Sequence, residues 1–233
     1  MLGVLVNVVT AVVGGLAGTL FKKGIPEKIT KSIMAAVGLC VIYIGIDGAL
    51  KGENTLVLII SMLVGTVIGS LIDIDDKINR LGLWVEKKFN KGKKKVSVAE
   101  GFVTATLLFC VGSMTVVGSL NAGLLGDNRM LYTKAVLDLV SGMVIATSCG
   151  IGVAFSAVSV FVIQGGIVLL AEQLNGILTT PAINEMTCTG SVIIIALGLN
   201  LVGISKFKVA NFMPAIFLAP LVYTLLNLLP FSI

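Results

Sequence analysis

Eight times along its 233 residues the chain runs apolar for close to the length a helix needs to cross a bilayer. A crossing of about 30 Å of hydrocarbon takes about 20 mostly apolar residues. The stretches are Leu2 to Leu20, Ile29 to Leu50, Thr55 to Ile72, Val98 to Leu120, Leu131 to Cys149, Gly152 to Ala171, Cys188 to Ile204 and Val209 to Leu229. They leave no room for a soluble catalytic domain, so whatever the protein does, it does within the bilayer. With 56% hydrophobic and 12% charged residues, the chain carries half the charge a soluble domain uses to coat its surface, about 25%. The expected fold is all-α: one polytopic membrane helix bundle over residues 1–233, of about eight transmembrane helices, some broken or kinked.

Charge placement predicts the topology, because basic residues accumulate in short cytoplasmic connections. Of the 17 basic residues, four follow the first span (Lys22, Lys23, Lys28, Lys31), eight follow the third and two, Lys206 and Lys208, precede the last. Eight crossings put these three connections on one side and leave Lys51, Arg129 and Lys134 for the other. Both termini are then expected outside a plasma membrane, with the first helix retained. The basic connection 73–97 spaces Ile74, Ile78, Leu81, Trp84, Val85 and Phe89 as a helix does, ahead of KGKKK. That pattern fits a cytoplasmic helix lying in the lipid interface, which anchors the chain or docks a lipid or protein. Ser97 to Glu100 fits a capping box that opens the fourth span.

Histidine is absent, which removes the commonest general base and metal ligand. No paired intramembrane carboxylates and no nucleophile motif stand in for it. No enzyme, no catalytic residue, no metal and no cofactor is therefore expected. Cys40, Cys110, Cys149 and Cys188 are far apart and read as small hydrophobes, not as a disulfide framework. The net charge of +5 is concentrated in the 73–97 connection, so it calls for no nucleic-acid partner.

Small residues line helix faces: Asn7, Thr10, Gly14 and Gly18 in the first span, and Ser61, Gly65, Gly69 and Asp73 in the third. Such faces let helices pack closely, or line a narrow polar path. Two internal similarities stand out. A shift of 160 lays Ala36, Gly38 and Leu39 on Ala196, Gly198 and Leu199, which fits an inverted repeat of spans one to three on six to eight. Shifts of 73 to 74 lay Gly52-Glu53-Asn54 near Gly126-Asp127-Asn128, which fits a parallel repeat instead.

An ionisable group at mid-bilayer costs about 2.5–3.5 kcal/mol on insertion scales and demands a reason. Asp138 is the deepest acid, and Lys134 stands one turn before it on the same face. Two readings stay open: an ion pair that only makes insertion tolerable, or a solute, ion or proton site. Asn7, Gln164 and Asn200 are amides within spans, able to bind a solute or to join helices. The connection 121–130, with Asp127 and Arg129, reads either as a turn or as the tip of a broken helix that dips back towards the centre, and Gly112, Ser113, Thr115, Gly118 and Ser119 before it favour a helix that unwinds inside the membrane. Ser113 and Asp127 join the candidate solute-binding residues on that ground. Pro214 and Pro220 predict a kink or interruption in the last span.

The run EGFVTATLLFCVGSMTVVGSLNAGLLGDNRMLYTKAVLDLVSGMV from Glu100, GIGVAFSAVSVFVIQG after it, GLAGTLFKKGIPEKI near the start and IDIDDKINRLGLWVEKKF in the basic connection resemble the YdfK/YqgA-type family of bacterial integral membrane proteins (domain of unknown function 554). The resemblance implies a bacterial plasma-membrane protein, and its recurrent positions fall on Glu100, Gly126, Asp127, Lys134, Asp138 and Gln164. The expected function is a secondary carrier for a small polar solute or ion, its partners being the lipid bilayer, that solute and further copies of the chain in a homo-oligomer. The alternatives are an oligomeric channel and a scaffold or sensor that does not transport.

Overall fold

The computed structural model describes residues 1–21, 27–80, 98–111, 113–175 and 177–228, and every regular element among them is a helix. They are α1 (Leu2–Phe21), α2 (Glu27–Ala49), α3 (Thr55–Ile72), α4 (Val98–Cys110), α5 (Ser113–Leu124), α6 (Arg129–Cys149), α7 (Gly152–Leu169), α8 (Thr180–Val202) and α9 (Pro214–Leu228). A helical turn, Ala171–Leu174, follows α7, and a 3-10 turn, Val209–Phe212, precedes α9. Local chemistry sets several ends. Asn54 caps α3 by accepting from the Leu56 N–H at 3.0 Å. Gly203, at φ 86°, closes α8 in the left-handed conformation that glycine adopts without strain.

Six of these stretches are long and apolar enough to cross a membrane, and a seventh qualifies if α4 and α5, bent by 60° to one another, are one crossing. In α2 the apolar helical part is Ala35–Ala49. Burial is inverted relative to a soluble protein. On α6 the buried face holds Lys134, Ala135, Asp138 and Gly142, while Val136, Val140 and Val144 are exposed. On α3, Val57, Ser61, Gly65 and Gly69 are buried at four-residue steps, and Leu63, Val67 and Leu71 face outward. Apolar side chains outside and small or polar ones inside suit a lipid surround, where dispersion and close backbone approach hold helices together.

The close approaches fix how the helices run. Gly3, Gly14 and Gly18 of α1 meet Leu131, Leu139 and Met143 of α6 in the same order, so these two helices are parallel. Gly38, Gly45 and Gly52 meet Val202, Ile195 and Cys188, which makes α2 and α8 antiparallel. Gly65 and Gly69 meet Ala215 and Asn211, so α3 and the α9 region are antiparallel too. The Gly101–Cys149 approach, the 3.0 Å hydrogen bond from Thr106 to Ser159 and the Gly123–Val168 approach show that α4 and α5 together follow α7 from end to end. The break between them is thus a bend within one continuous path.

Residues 74–80 are helical, and Ile74 and Ile78 pack against the core. The rest of the expected interfacial helix, including Trp84, KGKKK and Ser97 of the capping box, lies outside the described residues. The interruption in the last apolar stretch falls at the 3-10 turn before Pro214, and α9 continues through Pro220. The four cysteines are free thiols, three of them buried.

Candidate functional site

The i, i+4 spacing of Lys134 and Asp138 closes in α6 as a bidentate ion pair. Nζ donates to Oδ1 at 2.9 Å and to Oδ2 at 2.7 Å, and each residue is only 5% exposed. Asp138 is nine residues beyond Arg129, so at 1.5 Å per residue it stands about 14 Å along α6, near its midpoint. Asn7 of α1 faces the Asp138 carboxyl, and its own Nδ2 is buried without a partner. On the third side the Phe109 ring lies beneath the ammonium, its centroid 6.0 Å from Lys134 Nζ.

Phe109 brings the helix break to the pair. Helix α4 ends at Cys110, its last i, i+4 bond running from the Val111 N–H to the Leu107 carbonyl, and Thr115 Oγ1 donates to the Phe109 carbonyl at 2.9 Å. Val111 rests on Gly190, midway along α8, so the break and the ion pair share one depth. The C-terminal end of α4, the N-terminal end of α5, one cation and one anion therefore meet in mid-bundle. Half-helix ends at this depth bring partial charges, positive at N-termini and negative at C-termini, to bear on solutes and ions. A charged solute has both signs of partner to exchange with.

Gln164 of α7 is fully buried, and neither its Oε1 nor its Nε2 has a partner. Its helix runs beside α1 and α5, the helices that carry Asn7 and the break. Among the described residues this amide and Asn7 are the candidates with unspent hydrogen-bonding capacity. Ser113 opens α5 at the break, but its side chain lies outside the described residues. Asp127 lies instead in the α5–α6 loop, paired with Arg129 at 2.7 Å. Hydrogen bonding from that guanidinium holds the Asp127 carboxyl down at about 2. Asn200 is not brought to the pair: it is ten residues, about 15 Å of helix, beyond Gly190. There it spends both amide atoms on the loop after α8, donating to the Phe207 carbonyl and accepting from the Phe207 N–H, each at 2.8 Å.

Sequence reasoning passed over Glu185. Helix α8 begins eight residues before the expected Cys188, at Thr180, and takes this carboxylate into the bundle, 1% exposed. Pro181 in the first turn, after the threonine pair, was the readable signal of that start. At the opposite end of the bundle Asp73 accepts from Lys208 at 3.1 Å and from Asn211 at 3.4 Å. The Lys208 hydrogen bond, helped by Asn211, holds its carboxyl below the usual value of 3.8.

A family model described as "Protein of unknown function (DUF554)" matches residues 2–224. The chain is 34% identical over 226 residues to the "Uncharacterized membrane protein YdfK" of Bacillus subtilis (strain 168), covering 95% of each chain. It is 28% identical over 222 residues to the "Uncharacterized protein YqgA" of Escherichia coli (strain K12), covering 94% of each. No solved structure matches it.

Proposed function

The chain belongs to the DUF554 family and is a multi-pass membrane protein, and we propose that it is a secondary transporter whose small polar solute or ion binds at the Lys134–Asp138 pair. The observation that carries this reading is a charged pair buried at mid-depth against the ends of a broken helix. A purely structural core is better served by apolar side chains, since buried pairs seldom repay their desolvation. Asn7 and Gln164 supply neutral partners for a solute at the same level.

Eight crossings suit the packing. With α4 and α5 counted as one, α1 and α6 are crossings one and five and run parallel; α2 and α8, two and seven, run antiparallel; α3 and α9, three and eight, also run antiparallel. Alternation requires each of these. It puts the connections at 22–31, 73–97 and 203–208 on one face, and the basic residues there favour both termini outside. Crossings one to three thus lie antiparallel to six to eight, pair by pair, with Gly38 and Gly198 in mutual contact. That arrangement favours an inverted repeat, the architecture in which one half rocks against the other around a central site. Glycine faces without bulky side chains permit such sliding.

Purified protein in proteoliposomes, screened against small polar solutes and ions, tests the proposal. Saturable flux that Asp138→Asn and Lys134→Met both abolish is the expected result. Flux that both variants leave unchanged removes the site, and steady single-channel currents without saturation assign a channel instead.

A further inference from the structure

Among the described residues Gln164 is the side chain whose donor and acceptor are both buried and both bare. It shares a buried face of α7 with Ala157 and Val160 of the apolar core, while Val158 and Val162 face outward, so the amide points into the bundle. Left dry there, it forfeits hydrogen bonds that nothing else in the protein replaces.

Register brings two more bare groups beside it. Helices α5 and α7 run parallel, and Gly123 meets Val168 and Ala171. One turn back along both stand Ser119 and Gln164, and the Ser119 hydroxyl is fully buried without a partner. Gly118 packs on Met130 and Leu131 of α6, which puts this level about 5 Å of helix from Lys134. Gly3 of α1 meets Leu131 and Gly14 meets Leu139, so Asn7, between them, is level with Lys134, and its Nδ2 is bare as well. There is room at this level: Gly165 is buried, yet a Cβ on it would meet only the side-chain methyl of Met1, at 3.8 Å.

Three neutral polar groups and one ion pair therefore share a short stretch of the interior, and their chemistry selects a solute. The pair is self-neutral. A singly charged solute that engages one member strands the other, whereas a zwitterion offers its carboxylate to Lys134 and its ammonium to Asp138 and leaves no charge unpaired. The Gln164 amide both donates and accepts, so a primary carboxamide answers it at two points, N–H to Oε1 and C=O to Nε2. The Ser119 hydroxyl is left to take the second carboxamide N–H.

We propose that Ser119, Gln164 and Asn7 form a neutral subsite beside the pair, and that the solute is a small zwitterion whose carboxamide tail occupies it. This rests on the reading of Lys134 and Asp138 as the transport site and narrows what that site takes.

Calorimetric titration of the purified protein in detergent tests it. The probes are L-glutamine and L-asparagine, which cover two tail lengths, and three analogues: L-norleucine has an apolar tail, glutaramate lacks the ammonium and 4-aminobutanamide lacks the carboxylate. One of the two amide amino acids is expected to bind, and each analogue to bind at least about tenfold more weakly, since each leaves a buried polar group of the site unanswered. Gln164→Leu and Ser119→Ala are expected to erase the preference over norleucine, and Asp138→Asn to abolish binding altogether. Because Gln164→Leu takes a bare polar group out of the core, its thermal midpoint is expected to equal or exceed that of the wild type, which separates lost selectivity from lost folding. No binding of either amide amino acid at millimolar concentration overturns the proposal. Binding that Gln164→Leu and Ser119→Ala leave unchanged overturns it too, the bare groups then holding water only. An analogue that binds as tightly as the amide amino acids, in a manner that Asp138→Asn abolishes, overturns this inference and leaves the pair as the transport site; binding that survives Asp138→Asn removes both.

Discussion

At the scale of single residues, the ion pair separates what stability needs from what function needs. Asp138→Asn or Lys134→Met leaves one charge buried without its partner, which is expected to cost about 3–5 kcal/mol. The double variant Lys134→Met with Asp138→Leu removes both charges and is expected to recover most of that loss, because an apolar pair of similar size often serves a core as well. Thermal unfolding in detergent measures the stability of all three. If the pair binds solute, the recovered double variant still fails to transport; if the pair only neutralises itself, it does not. The half-exposed Asp73 makes a prediction in pH. Its carboxyl titrates below 3.8 because Lys208 and Asn211 hydrogen-bond the charged form. The benefit is present above the ordinary carboxylate range and disappears as pH falls through the lowered value. Carboxyl NMR of Lys208→Met is expected to show Asp73 moving back up towards 3.8, and Lys208→Arg to show it staying low.

At the scale of elements, the small-residue faces divide into those that matter to packing and those that do not. A Cβ on Gly15 would run into the Ala154 backbone of α7, so Gly15→Ala is expected to destabilise by at least about 1 kcal/mol, as overpacking does. Gly166, on α7, has nothing within 4 Å of its Cβ position. Gly166→Ala is therefore expected to be neutral, or to stabilise by up to about 1 kcal/mol through helix propensity. Thermal midpoints of the two variants check the contrast. Helix positions were legible in the sequence because a lipid-facing run must be apolar throughout, and α3, at Thr55–Ile72, begins and ends where hydropathy puts it. Pro181 signals the start of α8, but Glu185 outweighs it, because a carboxylate reads as a residue of a connection until the Glu53 and Asn54 donors that stabilise it are seen. The ion pair was legible for a similar reason: i, i+4 contact is local. Its other neighbours, Asn7 and Phe109, come from helices more than 20 residues away, and no spacing rule reaches them. Asn200 shows the converse, an amide inside an apolar run whose partners sit in its own following loop.

At the scale of the whole molecule, the account joins a fold of alternating crossings to one charged site at mid-depth and two ends tied by different contacts. Glu185 holds the α2–α3 loop at one end, and Asp73 with Lys208 and Asn211 holds α3 to the α9 region at the other. Cysteines introduced singly at Glu53 and Asp127 are expected to label from outside the cell, and one at Ser205 only from inside; any exchange between these groups breaks the eight-crossing order. The central claim, that the buried pair is a transport site, is tested most directly by solute flux in proteoliposomes of wild-type, Asp138→Asn, Lys134→Met and the stability-restored double variant. The account predicts saturable flux in the wild type alone. Flux at wild-type level in the double variant would contradict it.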